Sequence, residues 1–171
     1  GAQVHILVPE KSDLWRLGGI SKNNLKVWRA DLRNVERLSE SLNQIRPNRV
    51  FHLGASVSAE RNFTLLNEMV DVNLMGTLNL ITGLQELPCD CVINFGTCEE
   101  YGDREVPFSE TERESPVSPY SASKVAATHF CQMIHRTTGL PITTVRPFLT
   151  YGPFQLSNMF IPNLICHCLE G

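Results

Sequence analysis

The stretch 118–124 reads SPYSASK. Ser118 is a good N-cap, and Pro119 suits the first helical position, where its missing N–H is no loss. Beyond it Val125, Ala126, Phe130, Met133 and Ile134 recur at helical spacing as far as His135, and Gly139 closes the run. On that helix Tyr120 and Lys124 stand four apart and share a face. A phenol has a pKa of about 10 in water and is a poor acid or base at neutrality. A nearby ammonium favours the phenolate and moves that value toward the working range. Tyr120 could then give or take the proton of a sugar or alcohol hydroxyl while a hydride moves elsewhere. A Tyr and a Lys so spaced are usually a solvated surface pair, so the flanking chain decides what this one is.

Working outward, continuous apolar runs bounded by turn residues predict strands buried on both faces. Val4–Val8 is ended by Pro9, Leu25–Trp28 runs into Asp31, Val50–Leu53 leads into Gly54-Ala55, Cys91–Phe95 precedes Gly96, and Ile142–Arg146 is the last. Helices are predicted between them. One is capped by Asn34, with Val35, Leu38, Leu42 and Ile45 apolar and Pro47 as its stop. A long one over 62–87 has Val70, Leu74, Leu78 and Ile81 on one stripe, with Pro88 after it; a short one covers Pro162–Leu169. Strands alternating with helices argue an α/β fold, a Rossmann-like doubly wound parallel sheet with helices on both faces. Ligands of such sheets bind at the carboxyl ends of the strands. The candidate chemistry lies there: Asp31, Gly54-Ala55, Gly96–Gly102 and Arg146–Pro153.

Composition sets the bounds. At 171 residues, 42% hydrophobic and 19% charged, the chain suits one globular domain, with no repeat, linker or low-complexity tract. A formal net charge of −3 gives no basic surface for nucleic acid. No apolar run approaches the ~20 residues of a membrane span. The chain opens directly into a strand-like run with no signal peptide pattern, so a cytoplasmic protein with reduced thiols is expected. The six cysteines include two Cys-x-Cys pairs, Cys89/Cys91 and Cys166/Cys168, which lack zinc spacing and a partnered His cluster; no metal site is expected. Asn62-Phe63-Thr64 matches a glycosylation acceptor and is read as chance.

Each candidate has a plainer reading. Thr97 presents a hydroxyl at a strand end that could donate to a ketone or alcohol oxygen, or else it starts a turn. Glu99 is a candidate base, whereas Glu100 is read as solvated. Asp31 on its own is a turn cap. Gly54-Ala55 admits phosphate and ribose close to the backbone, or simply packs tightly. Asn73, a polar residue in an apolar helix, is more often a satisfied buried amide than a ligand contact, and His52 is read as structural. The acidic neighbour of Cys98 raises rather than lowers a thiol pKa.

Six motifs in order carry a resemblance that runs through nearly all 171 residues: ADL (30–32), HLGA (52–55), VNLMGT (72–77), FGTCEEYG (95–102), SPYSASK (118–124) and RPFLTYGP (146–153). Together the chain resembles the extended short-chain dehydrogenase/reductase family, in its nucleotide-sugar epimerase/dehydratase branch. The resemblance implies that Thr97, Tyr120 and Lys124 form a catalytic triad, with Tyr120 the acid/base and Lys124 bonding the nicotinamide ribose and depressing the Tyr120 pKa. It implies that Asp31 and Leu32 flank the adenine, that Leu53, Gly54 and Ala55 line the cofactor, that Asn73 supports the site, and that Pro147 lies near the nicotinamide. Glu99 would be the base of a water elimination. The activity implied is an NAD(P)-dependent oxidoreductase working at carbon 4 of a nucleotide-linked sugar, as 4,6-dehydratase, 4-keto reductase or 4-epimerase. A homodimer pairing the 62–87 and 118–136 helices is also implied. The alternative is a catalytically silent member serving as an interaction or regulatory module.

Three departures stand out. The chain opens at what would be the second strand of that family, so the Gly-rich pyrophosphate turn is missing. Family members are about twice this length, so a C-terminal substrate lobe is also missing, and the chain reads as a Rossmann domain truncated at both ends. Leu149 stands where members often have Asn. Apart from these, the resemblance implies an Asp-Glu or Ser-Glu pair after the catalytic Thr in the 4,6-dehydratases, where this chain has Cys98-Glu99. For the cofactor, a carboxylate at the end of the second strand would select NAD. Glu10 comes late for that role, and Lys11 is near enough to reach a 2′-phosphate. The choice of NAD or NADP therefore leans to NADP, against the plainer reading of Glu10 and Lys11 as ordinary loop charges.

Overall fold

All the strands run parallel in a computed structural model that describes residues 1–20, 22–58 and 60–170, with Lys22 described in its backbone only. β1 (Val4–Val8) pairs with β2 (Leu25–Arg29), from Val4 against Leu25 to Val8 against Arg29. β3 (Arg49–His52), β4 (Cys91–Phe95) and β5 (Ile142–Val145) form a second sheet in that order. The sheet is thus divided between β1 and β3. In the doubly wound strand order 3-2-1-4-5-6, one strand lies at that point between the outer pair and the inner three, and no described segment fills it here.

Three helices cover one face. α1 (Val35–Ile45) is capped by Asn34, whose side chain accepts from the Arg37 N–H. α3 (Gly76–Leu84) and α4 (Pro119–Thr138) follow β3 and β4. Their inner faces meet Val92 and Ile142 in a core of Leu38, Leu42, Leu80, Ile81, Leu84, Cys131 and Ile134, against which Leu7, Leu32 and Val50 also pack. The opposite side of β3 carries Phe51, 63% exposed, and α5 (Phe160–Glu170) buries none of its residues.

The long helix expected over 62–87 is a composite. A 3-10 turn, Phe63–Leu65, leads into α2 (Leu66–Met69), a π-helical stretch spans Val70–Met75, and α3 stops at Leu84. Of the expected stripe Ile81 is fully buried and Leu74 and Leu78 are half-buried, while Val70 is 41% exposed; Met69, Asn73, Thr77, Leu80 and Leu84 complete the inner face. α4 departs from its expected stripe too. Phe130 and Met133 are exposed, and the inner face is made of Ser121, Ser123, Lys124, Ala127, Thr128, Cys131 and Ile134. Small and polar residues suit the first turns of that face, where Ser123 meets Asn73 and Thr128 meets Glu100, whereas Cys131 and Ile134 further on pack into the apolar core.

Candidate active site

Parallel strands bring all their carboxyl ends to one edge of each sheet, and every candidate except the helical Asn73, Tyr120 and Lys124 follows such an end. Thr97, the second residue after β4, caps a 3-10 turn (Cys98–Tyr101) in a reciprocal capping box. Its hydroxyl accepts from the Glu99 N–H at 3.3 Å, and the Glu100 carboxylate accepts from the Thr97 N–H at 3.0 Å. The start of α4 is fixed the same way. The Ser118 hydroxyl accepts from the Ser121 N–H and the Ser121 hydroxyl accepts from the Ser118 N–H, both at 3.0 Å. This sets the angle at which Tyr120 leaves the helix toward Thr97.

Tyr120 and Thr97 are each 8% exposed, and Lys124 is 3% exposed. Burial pushes the Tyr120 pKa up, the polar side chain of Thr97 pulls it down, and the charges of Glu99 and Glu100 push it up again; the net is a raised value. The lowering expected from Lys124 is not realised: burial, the largest influence, sets the direction. Lys124 is itself shifted down by burial, with Glu100 opposing. Tyr120 in this state is a protonated phenol at neutral pH, a donor before it is a base. Glu99 is partly buried, and burial pushes its carboxyl up, as a base of moderate strength requires. Cys98 is pushed up by burial and by Glu99, which leaves a weakly acidic thiol.

Asn73 is fully buried and satisfied, as a supporting amide should be. It accepts from the Ser56 N–H at 2.8 Å and donates to the Ser56 carbonyl at 2.9 Å and to the Ser123 hydroxyl at 3.0 Å. Ser123 in turn donates to the Tyr120 carbonyl at 2.7 Å. Asn73 thus ties the loop after Gly54-Ala55 to the turn of α4 that bears Tyr120. Beneath it the Thr77 hydroxyl donates to the Asn73 carbonyl at 2.6 Å, so the ring nitrogen of His52, 2.8 Å from that hydroxyl oxygen, is the donor. Burial and the Lys124 charge push His52 down to about 4. A base depressed in the folded state takes up a proton first in the unfolded chain. Its contribution to stability is therefore complete above the ordinary His value and is lost as pH falls from about 6.5 toward about 4. Denaturant titrations over that range should show stability falling by up to about 1.4 kcal/mol per pH unit. A His52→Gln variant should lose that slope, and an unchanged slope would assign it to another group.

The remaining candidates stand apart from the triad. Asp31 is held in a bidentate pair with Arg33 at 2.9 and 2.7 Å, which keeps its carboxyl at about 2, and it also accepts from the Arg33 N–H. Its capping role is realised. Leu32 packs where side chains on Gly54 and Gly76 would stand; an added Cβ would come within 3.2 and 3.0 Å of its atoms. Leu53 is 67% exposed beside an open Gly54 and a half-buried Ala55. Pro147 accepts through its carbonyl from the Cys98 N–H at 3.1 Å, which joins it to the Thr97 turn. Lys11 is exposed on the loop after β1, which Arg29 laces by donating to the carbonyls of Pro9, Glu10 and Ser12. Glu10 is ion-paired with Arg37.

Glu100 overturns its reading as a solvated residue. It is fully buried and bonded to Arg146 at 2.8 Å. The Thr-x-x-Glu spacing of 97–100 is a capping-box signature and was the signal available for it.

This is a Rossmann-like α/β fold with a Thr-Tyr-Lys constellation at the carboxyl end of a central strand. The chain belongs to the NAD dependent epimerase/dehydratase family, whose family model matches residues 3–171. It is 32% identical over 153 residues to the dTDP-glucose 4,6-dehydratase of Neisseria meningitidis serogroup B, covering 82% of this chain and 43% of that protein. It is 30% identical over 149 residues to the UDP-glucuronate 4-epimerase of Thermodesulfobacterium geofontis, covering 86% and 46%. Among solved structures it is similar to the UDP-glucuronic acid 4-epimerase of Bacillus cereus in complex with NAD (TM-score 0.74, 29% identity, 86% of this chain and 47% of that one). It is also similar to the UDP-N-acetylglucosamine 4-epimerase of Methanobrevibacter ruminantium M1 (TM-score 0.87, 26% identity, 99% and 56%). The chain spans about half the length of the curated relatives it matches. Among the described residues no helix is long and apolar enough to cross a membrane, and no group of His, Cys, Asp and Glu is placed to hold a metal ion.

Proposed function

We propose that the protein is an NAD(P)-dependent oxidoreductase acting at carbon 4 of a nucleotide-linked sugar. The observation that carries this reading is that the turn bearing Thr97 packs against α4, bonded to it through Glu100 and Thr128, with a buried Tyr120 and, one helical turn on, a buried Lys124. The Lys124 ammonium makes no hydrogen bond to a described residue, which suits a group reserved for ribose hydroxyls. Open backbone at Leu53 and Gly54 suits the passage of a dinucleotide. A bound nicotinamide would supply hydride exchange. Tyr120 would move the proton at the sugar hydroxyl or ketone oxygen, Thr97 would orient that oxygen, and Glu99 would serve as base for chemistry at a neighbouring carbon. Water elimination receives the least support, because Cys98 is a weak acid where a proton must reach a leaving hydroxyl. The test is a turnover screen of the full-length protein across nucleotide-sugars with both dinucleotides, with products resolved as 4-keto-6-deoxy sugar, reduced sugar or epimer. No turnover of any of them would favour a silent interaction module.

For the cofactor, Glu10 is occupied by Arg37 while Lys11 makes none of the ion pairs among the described residues. This supports acceptance of NADP at least as readily as NAD. In calorimetric titration of the full-length protein, Lys11→Ala should weaken NADP and spare NAD. A clear preference for NAD, or indifference to Lys11, would defeat the reading. The 171 residues by themselves, without a pyrophosphate turn, should bind either dinucleotide weakly. Exposed Leu66, Val70 and Met75 on one helical run and Phe130 and Met133 on α4 fit a homodimer built from these helices in a cytoplasmic protein. Sedimentation of the full-length protein as a monomer at micromolar concentration would count against it.

A further inference from the structure

We propose that Glu100 is the positioning residue of the site, its carboxylate locking the turn that carries Thr97 against the loop after β5 through Arg146. This rests on the function proposed above. One carboxylate oxygen accepts from the Thr97 N–H at 3.0 Å and from the Thr128 hydroxyl of α4 at 3.2 Å; the other accepts from Arg146 Nε at 2.8 Å. The other arm of Arg146 donates to Glu114 at 2.5 Å, and its guanidinium lies 4.9 Å over the Tyr101 ring. One buried carboxylate therefore touches three segments at once: the turn after β4, helix α4, and the first residue beyond β5.

The backbone around it is built to receive it. Gly96 N–H donates to the Val145 carbonyl at 2.8 Å and Cys98 N–H to the Pro147 carbonyl at 3.1 Å, which stitches the two strand ends together. A Cβ on Gly96 would stand 2.3 Å from the Glu100 oxygen, so the carboxylate fills that space. Burying an ion pair costs more than an apolar pair of the same volume, so stability alone is a weak reason for this one. What a buried charge pair with fixed partners supplies is a single geometry, and here that geometry sets where the Thr97 hydroxyl stands. The Glu100 charge also acts on both Tyr120 and Lys124.

The test uses the full-length protein. Glu100→Gln keeps an acceptor for Thr97 and removes the charge. It should lower kcat by about 10- to 100-fold, the scale of a small misplacement, with KM for the nucleotide-sugar within roughly threefold. It should also move the phenol limb of the pH–rate profile to lower pH. The double variant Glu100→Leu/Arg146→Met replaces the pair by apolar side chains and should recover the thermal midpoint but not kcat. If kcat returns with stability, or if Glu100→Gln leaves both kcat and the pH limb in place, the role is merely structural and the proposal is overturned. Tyr120→Phe in the same assay separates the two ideas, since full activity there would remove the proposed function instead. Should the parent turn over no nucleotide-sugar, amide exchange decides. Faster exchange at 97–101 in Glu100→Gln, with α4 still protected, supports the lock, and unchanged exchange rejects it.

Discussion

Replacing Tyr120 by Phe should lower turnover of the full-length protein by on the order of 10²–10⁴, the usual range for losing a general acid–base. The substitution keeps the ring in a site where the residue is 8% exposed, so the fold should be undisturbed. What it removes is the phenol hydroxyl, the proton donor of the proposed reaction. The raised pKa gives the effect a direction. Reduction of a ketone, which needs a donor, should stay active through neutral pH and fall as pH rises past the phenol pKa. Oxidation of a hydroxyl should gain over the same range. Steady-state rates in both directions across pH would show this, and turnover unchanged in Tyr120→Phe would reject the role.

Gly102→Ala should cost about 3 kcal/mol or more of stability, because two separate penalties fall on one residue. Gly102 closes the turn that carries Thr97, with φ 73° and ψ −153°, a region essentially reserved for glycine. Its absent Cβ would also stand 1.9 Å from the Ser115 carbonyl oxygen. That obstacle is backbone, and Ser115 is tied by its N–H to the Glu100 carbonyl at 3.0 Å, so it cannot retreat. Gly139, the C-cap of α4, is the comparison. It has φ 76° and ψ 2° with nothing within 4 Å of a built Cβ. Gly139→Ala should cost only about 1 kcal/mol. Urea midpoints of the two variants measure the difference, and equal losses would show that the Ser115 contact carries no weight.

Much of this was legible in the sequence. β4 falls on Cys91–Phe95, as its apolar run between Pro88 and Gly96 indicates, and α4 begins and ends at Ser118 and Gly139 because both caps are written in side-chain chemistry. Asn73 is the satisfied buried amide expected of a polar residue in an apolar helix. What escaped depends on tertiary structure. Apolar spacing has no mark for a π-helical stretch, and Val70, at its start, is exposed where the spacing predicts burial. The Tyr120 pKa is raised chiefly by burial, a tertiary property that the spacing of Tyr120 and Lys124 does not reveal. Glu100 looked like any charge in a polar loop, because its partner Arg146 lies 46 residues further on.

The divided sheet also bears on how the chain folds. Every buried member of the main core lies between Leu38 and Ile142, and β1–β2 reaches it only through Leu7 and, just past β2, Leu32. For these 171 residues taken alone, a folding nucleus drawn from α1, α3, β4, α4 and β5 should assemble without the first thirty residues, with β1–β2 docking later. Truncating Ile81 or Val92 should accordingly slow the folding limb of a chevron, whereas truncating Val27 should mainly quicken the unfolding limb. In the 171 residues taken alone, the β1–β2 unit and the Lys11 loop between its strands should be the first part to come away under mild denaturant, before the Thr97–Tyr120–Lys124 group loses its shape.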